Sequence, residues 1–140
     1  MAFRGTYEHT LDDRGRVALP ARYRHEFGGK VVIRPNEDGC IEVYPEAGFV
    51  QMSDEAASLP PTTRPGRRSR RRFESQSFDT ELDRQGRVLV PVRFREMAGL
   101  NGSVVIVGRR ECLEIWDPAS WSREIQEAMA ESSSEQGPGG

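Results

Sequence analysis

Leu11-Asp12-Asp13-Arg14-Gly15-Arg16-Val17-Ala18-Leu19-Pro20-Ala21-Arg22-Tyr23-Arg24 returns seventy-one positions later as Leu82-Asp83-Arg84-Gln85-Gly86-Arg87-Val88-Leu89-Val90-Pro91-Val92-Arg93-Phe94-Arg95, with eight of the fourteen positions identical. Tyr23/Phe94 and Leu19/Val90 keep their character. Downstream, Val31-Val32-Ile33 matches Val104-Val105-Ile106, and Cys40-Ile41-Glu42-Val43-Tyr44 matches Cys112-Leu113-Glu114-Ile115-Trp116. The offset drifts by only one or two residues, in glycine-containing turns. One unit is therefore present twice, which predicts a pseudo-two-fold body in which a single chain plays both halves of a symmetric dimer.

Each copy reads as strand, strand, short helix, strand, strand. Residues 3–11 and 73–82 carry β-favouring Thr, Tyr and Phe. Asp12 to Gly15 and Asp83 to Gly86 are turns, since Asp accepts from the backbone ahead of it and Gly tolerates positive φ. The chain then reverses into Arg16 to Leu19 and Arg87 to Val90, predicting a local hairpin in each copy. Pro20 and Pro91 open short helices that Gly28 and Gly99 stop. Lys30–Arg34 with Cys40–Tyr44, and Ser103–Val107 with Cys112–Trp116, form a second strand pair in each copy. A longer helix follows each unit, Pro45 to about Ser58 and Pro118 to about Glu131, the latter capped by Asp117.

A four-strand unit of roughly fifty residues buries too little apolar surface to stand alone, so the copies should share one core. The expected fold is mainly β with short helices (α+β): two tandem β-β-α-β-β repeats interleaved into one β-barrel-like body. The expected divisions are 1–60 for the first repeat with its helix, 61–72 for a Pro/Arg-rich linker, 73–131 for the second repeat with its helix, and 132–140 for a disordered tail. Leu59 to Arg72 shows no apolar periodicity and reads as a long loop.

Composition narrows the function classes. The 140 residues carry a net charge of −2, but six of the twenty basic residues fall within Arg64–Arg72, leaving fourteen against twenty-two acidic residues elsewhere, a net of −8. Local charge therefore matters more than the sum. No apolar run approaches the ~20 residues of a membrane span, and the N-terminus lacks a signal peptide's apolar stretch, so a cytoplasmic protein without membrane association is expected. Cys40 and Cys112 sit at equivalent places before apolar runs and read as buried structural residues, with a disulfide open only if the pseudo-axis brings them together. Neither has a Cys or His at ligand spacing, so no metal and no cofactor are expected. His9 and His25 have no counterparts in the other copy, and no Ser-His-Asp arrangement or phosphate loop is present, so neither catalysis nor a small-molecule substrate is expected. Tyr44, Phe49, Trp116, Trp121 and Ile125 read as core or subunit interface.

Arginine's planar fork of donors fits guanine O6 and N7 or a phosphate. One residue past a glycine turn, Arg16 and Arg87 can project from hairpins in the manner of a β-ribbon entering a major groove. Asp12 and Asp83, with Gly15 and Gly86, would position them. Arg14, Arg84, Arg22, Arg93, Arg24 and Arg95 are candidates for phosphate contacts, and because Arg22 and Arg24 point in different directions at least one of them should pair with an acidic neighbour or a subunit contact. The competing reading of Asp-x-x-Gly-Arg is a plain turn with a solvated ion pair. The arginine run has three readings: a non-specific DNA grip, a solvated linker, or a surface for acidic partners.

With two Asp-x-x-Gly-Arg elements, each followed by Val, a nearby Pro and an aromatic helix, and with the opening Phe3-Arg4-Gly5-Thr6-Tyr7, residues 1–131 resemble the MraZ family, whose repeats are similar to AbrB-type regulators and related antitoxin domains. The resemblance implies an AbrB/MraZ-like swapped-hairpin β-barrel. It further implies a nucleoid-associated, DNA-binding transcription regulator of the bacterial division and cell-wall genes, expected to be a repressor. Double-stranded DNA, as direct repeats upstream of its own operon, would be its partner, and the chain would assemble as a homo-oligomer, expected to be a ring. The family's DNA-contacting Asp-x-x-x-Arg element maps onto Asp12 and Arg16, and onto Asp83 and Arg87. The alternative is an AbrB-like antitoxin or another protein-interaction module. Gln85 stands where the first copy has Arg14, so the two copies need not make equal contacts.

Overall fold

The computed structural model describes residues 2–135. Its elements run β1 (Thr6–Thr10), β2 (Arg16–Ala18), a single 3-10 turn (Ala21–Tyr23) leading into α1 (Arg24–Phe27), β3 (Lys30–Pro35), β4 (Ile41–Pro45), α2 (Glu46–Ala56), α3 (Arg64–Glu74), β5 (Phe78–Glu81), β6 (Arg87–Leu89), α4 (Val92–Ala98), β7 (Ser103–Gly108), β8 (Leu113–Trp116) and α5 (Pro118–Glu135). The eight strands are β1 to β4 and their second-copy equivalents, as the duplication requires.

The copies are interleaved through strand exchange. A six-stranded antiparallel sheet has the order β1-β7-β8-β4-β3-β5, and β2 pairs only with β6 in a separate two-stranded ribbon. Thus β1 of the first copy lies against β7 of the second, and β5 of the second against β3 of the first. The two copies meet at β4 and β8, where Ile41 faces Ile115, Glu42 faces Glu114 and Val43 faces Leu113. The local hairpins expected at Asp12–Gly15 and Asp83–Gly86 form only as turns: β2 leaves β1 and seeks β6. Three-residue strands cannot support a stable hairpin alone, and exchange lets Val17, Leu19, Val88 and Val90, all fully buried, share one core. The six-stranded sheet stays open at β1 and β5, so the barrel is closed by side-chain contact with the ribbon and not by a continuous ladder.

That core lies on one face of the sheet. Val31, Ile33, Ile41, Val43, Val104, Ile106, Leu113 and Ile115 meet the ribbon valines together with Tyr23, Phe27, Phe94 and Ala98 of the short helices. The opposite face is covered in two parts. Phe49 and Met52 of α2 pack on Val32, Tyr44 and Cys112, while Trp121 of α5 packs on Cys40, Val105, Val107 and Trp116. Tyr44, Phe49, Trp116 and Trp121 therefore pack as expected, whereas Ile125 is 41% exposed. Cys40 and Cys112 are free and sit in different clusters, and burial pushes the Cys112 thiol up to about 12.

Three segments depart from expectation. Residues 73–77, expected as strand, belong to the end of α3 and its exit turn, and β5 starts at Phe78. The segment expected as a loop becomes α3 from Arg64: Thr63 caps it by accepting from the Gly66 N–H at 3.1 Å, Pro65 fits the first turn, and arginine is a good helix former. The tail expected to be disordered from Ser132 continues α5 to Glu135, because no Gly or Pro interrupts it before Gly137, and residues 136–140 lie outside the described residues.

Candidate nucleic-acid interface

The ribbon pairs Arg16 with Leu89, Val17 with Val88 and Ala18 with Arg87. Side chains alternate across a strand, so with Val17 and Val88 buried, Arg16, Ala18, Arg87 and Leu89 point away from the core. The two arginines lie diagonally across the ribbon. At either end the ribbon is tied to the other copy's turn, Leu19 N–H donating to Gly86 O at 3.0 Å and Val90 N–H to Gly15 O at 2.8 Å.

Each arginine is held by its own turn. In the first, Asp12 Oδ1 accepts from the backbone N–H groups of Arg14 (3.0 Å) and Arg16 (2.9 Å), and Asp12 Oδ2 accepts from Arg16 Nε at 2.8 Å. The second repeats this: Asp83 Oδ1 accepts from Gln85 and Arg87 N–H, and Oδ2 from Arg87 Nε at 2.7 Å. Nε is thus taken by the aspartate in both turns. The symmetry is imperfect, because Arg87 Nη1 also reaches to 3.8 Å from Asp12 Oδ2, linking the two copies across the ribbon. Asp12 and Asp83 thus each bond to the arginine four residues on.

The Arg16 backbone N–H, and then the Arg16 side chain and the Arg14 N–H, hold the Asp12 carboxyl below its ordinary value, and Asp83 is lowered in the same way by Arg87 and Gln85. A depressed folded-state value means that the turns' contribution is fully present above the ordinary carboxylate range and is lost as pH falls through the depressed values. Stability measured against pH should therefore drop less steeply in acid for Asp12→Asn/Asp83→Asn than for the native chain; parallel curves would contradict this.

Gly15 and Gly86 have φ of +83° and +74°. They also leave room for arginines of the opposite copy: a Cβ on Gly15 would lie 2.7 Å from the Arg95 guanidinium, and one on Gly86 2.3 Å from Arg24 Nε. Arg24 Nε donates to Leu19 O at 3.1 Å and Arg95 Nε to Val90 O at 3.0 Å. Arg24 and Arg95 therefore buttress the turn of the other repeat, in place of the acidic neighbour or subunit contact expected of Arg22 or Arg24. Gly15→Ala or Gly86→Ala should cost about 1–3 kcal/mol through the left-handed backbone alone, before any displacement of the arginine. Urea unfolding measures this, and a loss under about 0.5 kcal/mol would show that the turn relaxes freely.

Arg14 and Arg84 are exposed on the turns, and Arg22 and Arg93 are exposed on the helices that follow the ribbon strands, Arg22 lying 5.0 Å over the Tyr23 ring. His25 is exposed, and His9 is half-buried with its pKa lowered by burial and by Arg24. Among the described residues no cluster of His, Cys, Asp or Glu could hold a metal ion.

A charged cluster on the far face of the sheet escaped the sequence reading. Glu42 and Glu114, 4% and 5% exposed, face each other at the pseudo-axis. Arg109 Nη1 donates to both carboxylates, and Arg109 Nη2 donates to Tyr44 Oη at 2.9 Å. Asn36, at the place in the first copy equivalent to Arg109, also reaches both carboxylates at 3.4 Å, and Arg34 Nη1 donates to Glu42 at 3.1 Å. Like charges directly opposite on a sheet are destabilising, so the guanidinium between them sustains this arrangement. The available signal was a glutamate inside the same apolar run in both copies.

Comparison with known proteins agrees with the duplicated architecture. The model of the MraZ protein family, which its description likens to antitoxins, matches residues 2–72 and again 75–137. A protein of Moorella thermoacetica named transcriptional regulator MraZ is 44% identical over 125 residues, covering 89% of this chain and 87% of its own length. Proteins of the same name from Roseiflexus castenholzii and Salinispora tropica are 38% and 37% identical over 131 and 129 residues, covering 94% and 92% of this chain and 92% and 91% of their own. Two family matches in tandem, laid over two copies of one β-β-α-β-β unit that exchange strands, mean that this chain belongs to the MraZ family.

Proposed function

We propose that this chain is a sequence-specific DNA-binding transcriptional regulator that reads double-stranded DNA with the β2–β6 ribbon. The observation that carries the reading is the pair Arg16 and Arg87, outward on one face of an antiparallel ribbon with each Nε fixed by an aspartate. The major groove, about 12 Å wide, admits a two-stranded ribbon, and a held guanidinium presents two Nη donors to guanine O6 and N7. Directly across the ribbon from Arg16, Leu89 is 43% exposed and offers an apolar contact of the kind that reads a thymine methyl. Arg14, Arg84, Arg22 and Arg93 supply phosphate contacts that set register. The relatives' name, transcriptional regulator, supports the class of function.

The finer reading is repression of the bacterial division and cell-wall gene cluster through direct repeats upstream of the chain's own operon. The regulator would be cytoplasmic and nucleoid-associated, with binding and not catalysis as its activity. No helix among the described residues is long and apolar enough to cross a membrane. Ring assembly of several copies would place ribbons at regular intervals along such repeats, and the exposed Ile125 and Met129 of α5 offer apolar surface for it. Footprinting the purified protein on the DNA upstream of its own gene tests the proposal: periodic protection is expected, and protection no different from random DNA would overturn it. The family description's likeness to antitoxins favours one second reading, a module that neutralises a partner protein. Co-purification with a small ribonuclease-like protein, without upstream protection, would replace the first reading by the second.

A further inference from the structure

Helix α3 rides on the face of the sheet away from the ribbon. In β3, Val31 and Ile33 join the core beneath the ribbon, while Val32 packs under α2 and the Arg34 guanidinium lies 4.2 Å over the Phe73 ring of α3. The inner side of α3 is occupied: Gly66 is buried, Ser69 Oγ donates to Ala56 O at 2.7 Å, Arg70 donates to the carbonyls of Ala57 and Leu59, and Phe73 stacks on Phe49 at 5.3 Å. The outer side is a stripe of arginines at i, i+3, i+4, i+7 and i+8, namely Arg64, Arg67, Arg68, Arg71 and Arg72, all exposed.

Among the described residues none of these five forms an ion pair, and the one acid of the helix, Glu74, is engaged by the Ser53 hydroxyl. Arg64, Arg68 and Arg72 line, with Arg34, a depression of about 450 Å³ that has no carboxylate in its wall. Like charges at i,i+4 repel, so a stripe of this kind is relieved by an anion lying along it. The stripe rises about 12 Å along the helix axis, a length suited to successive phosphates of one strand. It does not suit a lipid surface, since the helix turns its only aromatic side chain inward and keeps none to insert.

We propose that the α3 stripe is a second, sequence-independent grip on duplex DNA, so that one chain holds two duplex segments on opposite faces. The grip stands on its own, whereas the bridging rests on the ribbon's binding DNA as proposed above. The test is the full chain carrying Arg64→Gln, Arg67→Gln, Arg68→Gln, Arg71→Gln and Arg72→Gln, with glutamine keeping helix propensity and circular dichroism checking the fold. Titrated with a random-sequence duplex over a salt series, it should lose at least about tenfold in affinity at ~0.1 M salt, with the log–log salt slope falling by about four. Arg67→Gln/Arg71→Gln alone should lower the slope by about two. A duplex-coated surface should capture a second labelled duplex through the native protein but not through the five-fold variant.

Unchanged affinity and slope in the five-fold variant would overturn the grip, as would a smaller assembly with random-sequence affinity intact, which would assign the stripe to a second copy of the chain. Capture that persists in that variant would overturn the bridging. Failure of the ribbon reading looks different: sequence-specific upstream protection would survive Arg16→Ala/Arg87→Ala.

Discussion

Replacing Arg16 and Arg87 together by alanine should lower affinity for the upstream DNA on the order of a hundredfold or more while leaving the fold intact. Each well-placed arginine fork discriminates by about 1–3 kcal/mol against the wrong base, so two account for about 2–6 kcal/mol of specific binding. Both side chains point away from the core and are 29% exposed, so truncation opens no cavity. The form of the loss is diagnostic. Base readout predicts that affinity for the upstream sequence falls towards the random-sequence value while the salt slope changes little; backbone contact predicts a slope lower by about two with the preference for upstream DNA retained. The second outcome would end the assignment of these arginines as readers. Arg87→Ala should also lower the urea unfolding midpoint more than Arg16→Ala, because only Arg87 reaches the other copy's aspartate.

The duplication makes much of this legible in the amino-acid sequence alone. Repeated Asp-x-x-Gly-Arg marks the turns, Pro20 and Pro91 the helix starts, and alternating apolar residues the strands, because these signals are local and act within a few residues. Partner choice is not local. Nothing in Arg16-Val17-Ala18 says that its ladder lies seventy residues away, and the nearer strand β1 is the default expectation. Helix α3 is hidden for a different reason. Its periodic element is arginine and not an apolar side chain, although Thr63 as cap, Pro65 in the first turn and the 64/67/68/71/72 spacing are all readable. Likewise the role of Arg24 and Arg95 cannot be read from their helices, because the glycine each one covers belongs to the other repeat. Of the site, the pair of arginines and their aspartates is readable; the surface on which they stand is not.

Arg109→Ala should be the most destabilising single change among the exposed and half-exposed charges, at about 3 kcal/mol. Glu42 and Glu114 have side chains only 6% and 7% exposed, and Arg109 is the one guanidinium that bonds to both. Removing one partner of a buried pair leaves uncompensated charge at a cost of about 3–5 kcal/mol. The Arg109 side chain is itself 37% exposed, so water entering the gap places the loss at the lower end. Arg34 and Asn36 remain, but Arg34 touches only Glu42, and the amide of Asn36 carries no charge. Because these groups sit where β4 meets β8, the deficit falls on the seam between the repeats, and urea unfolding should show it as a lower midpoint. Removing the carboxylate that no other guanidinium reaches as well, in Glu114→Gln/Arg109→Met, should recover much of the stability, since Glu42 keeps Arg34 and no uncompensated carboxylate is left. If the double variant is as unstable as Arg109→Ala, the arginine acts by filling space between the strands and not by neutralising the glutamates. If Arg109→Ala unfolds at the native midpoint, water alone solvates the pair.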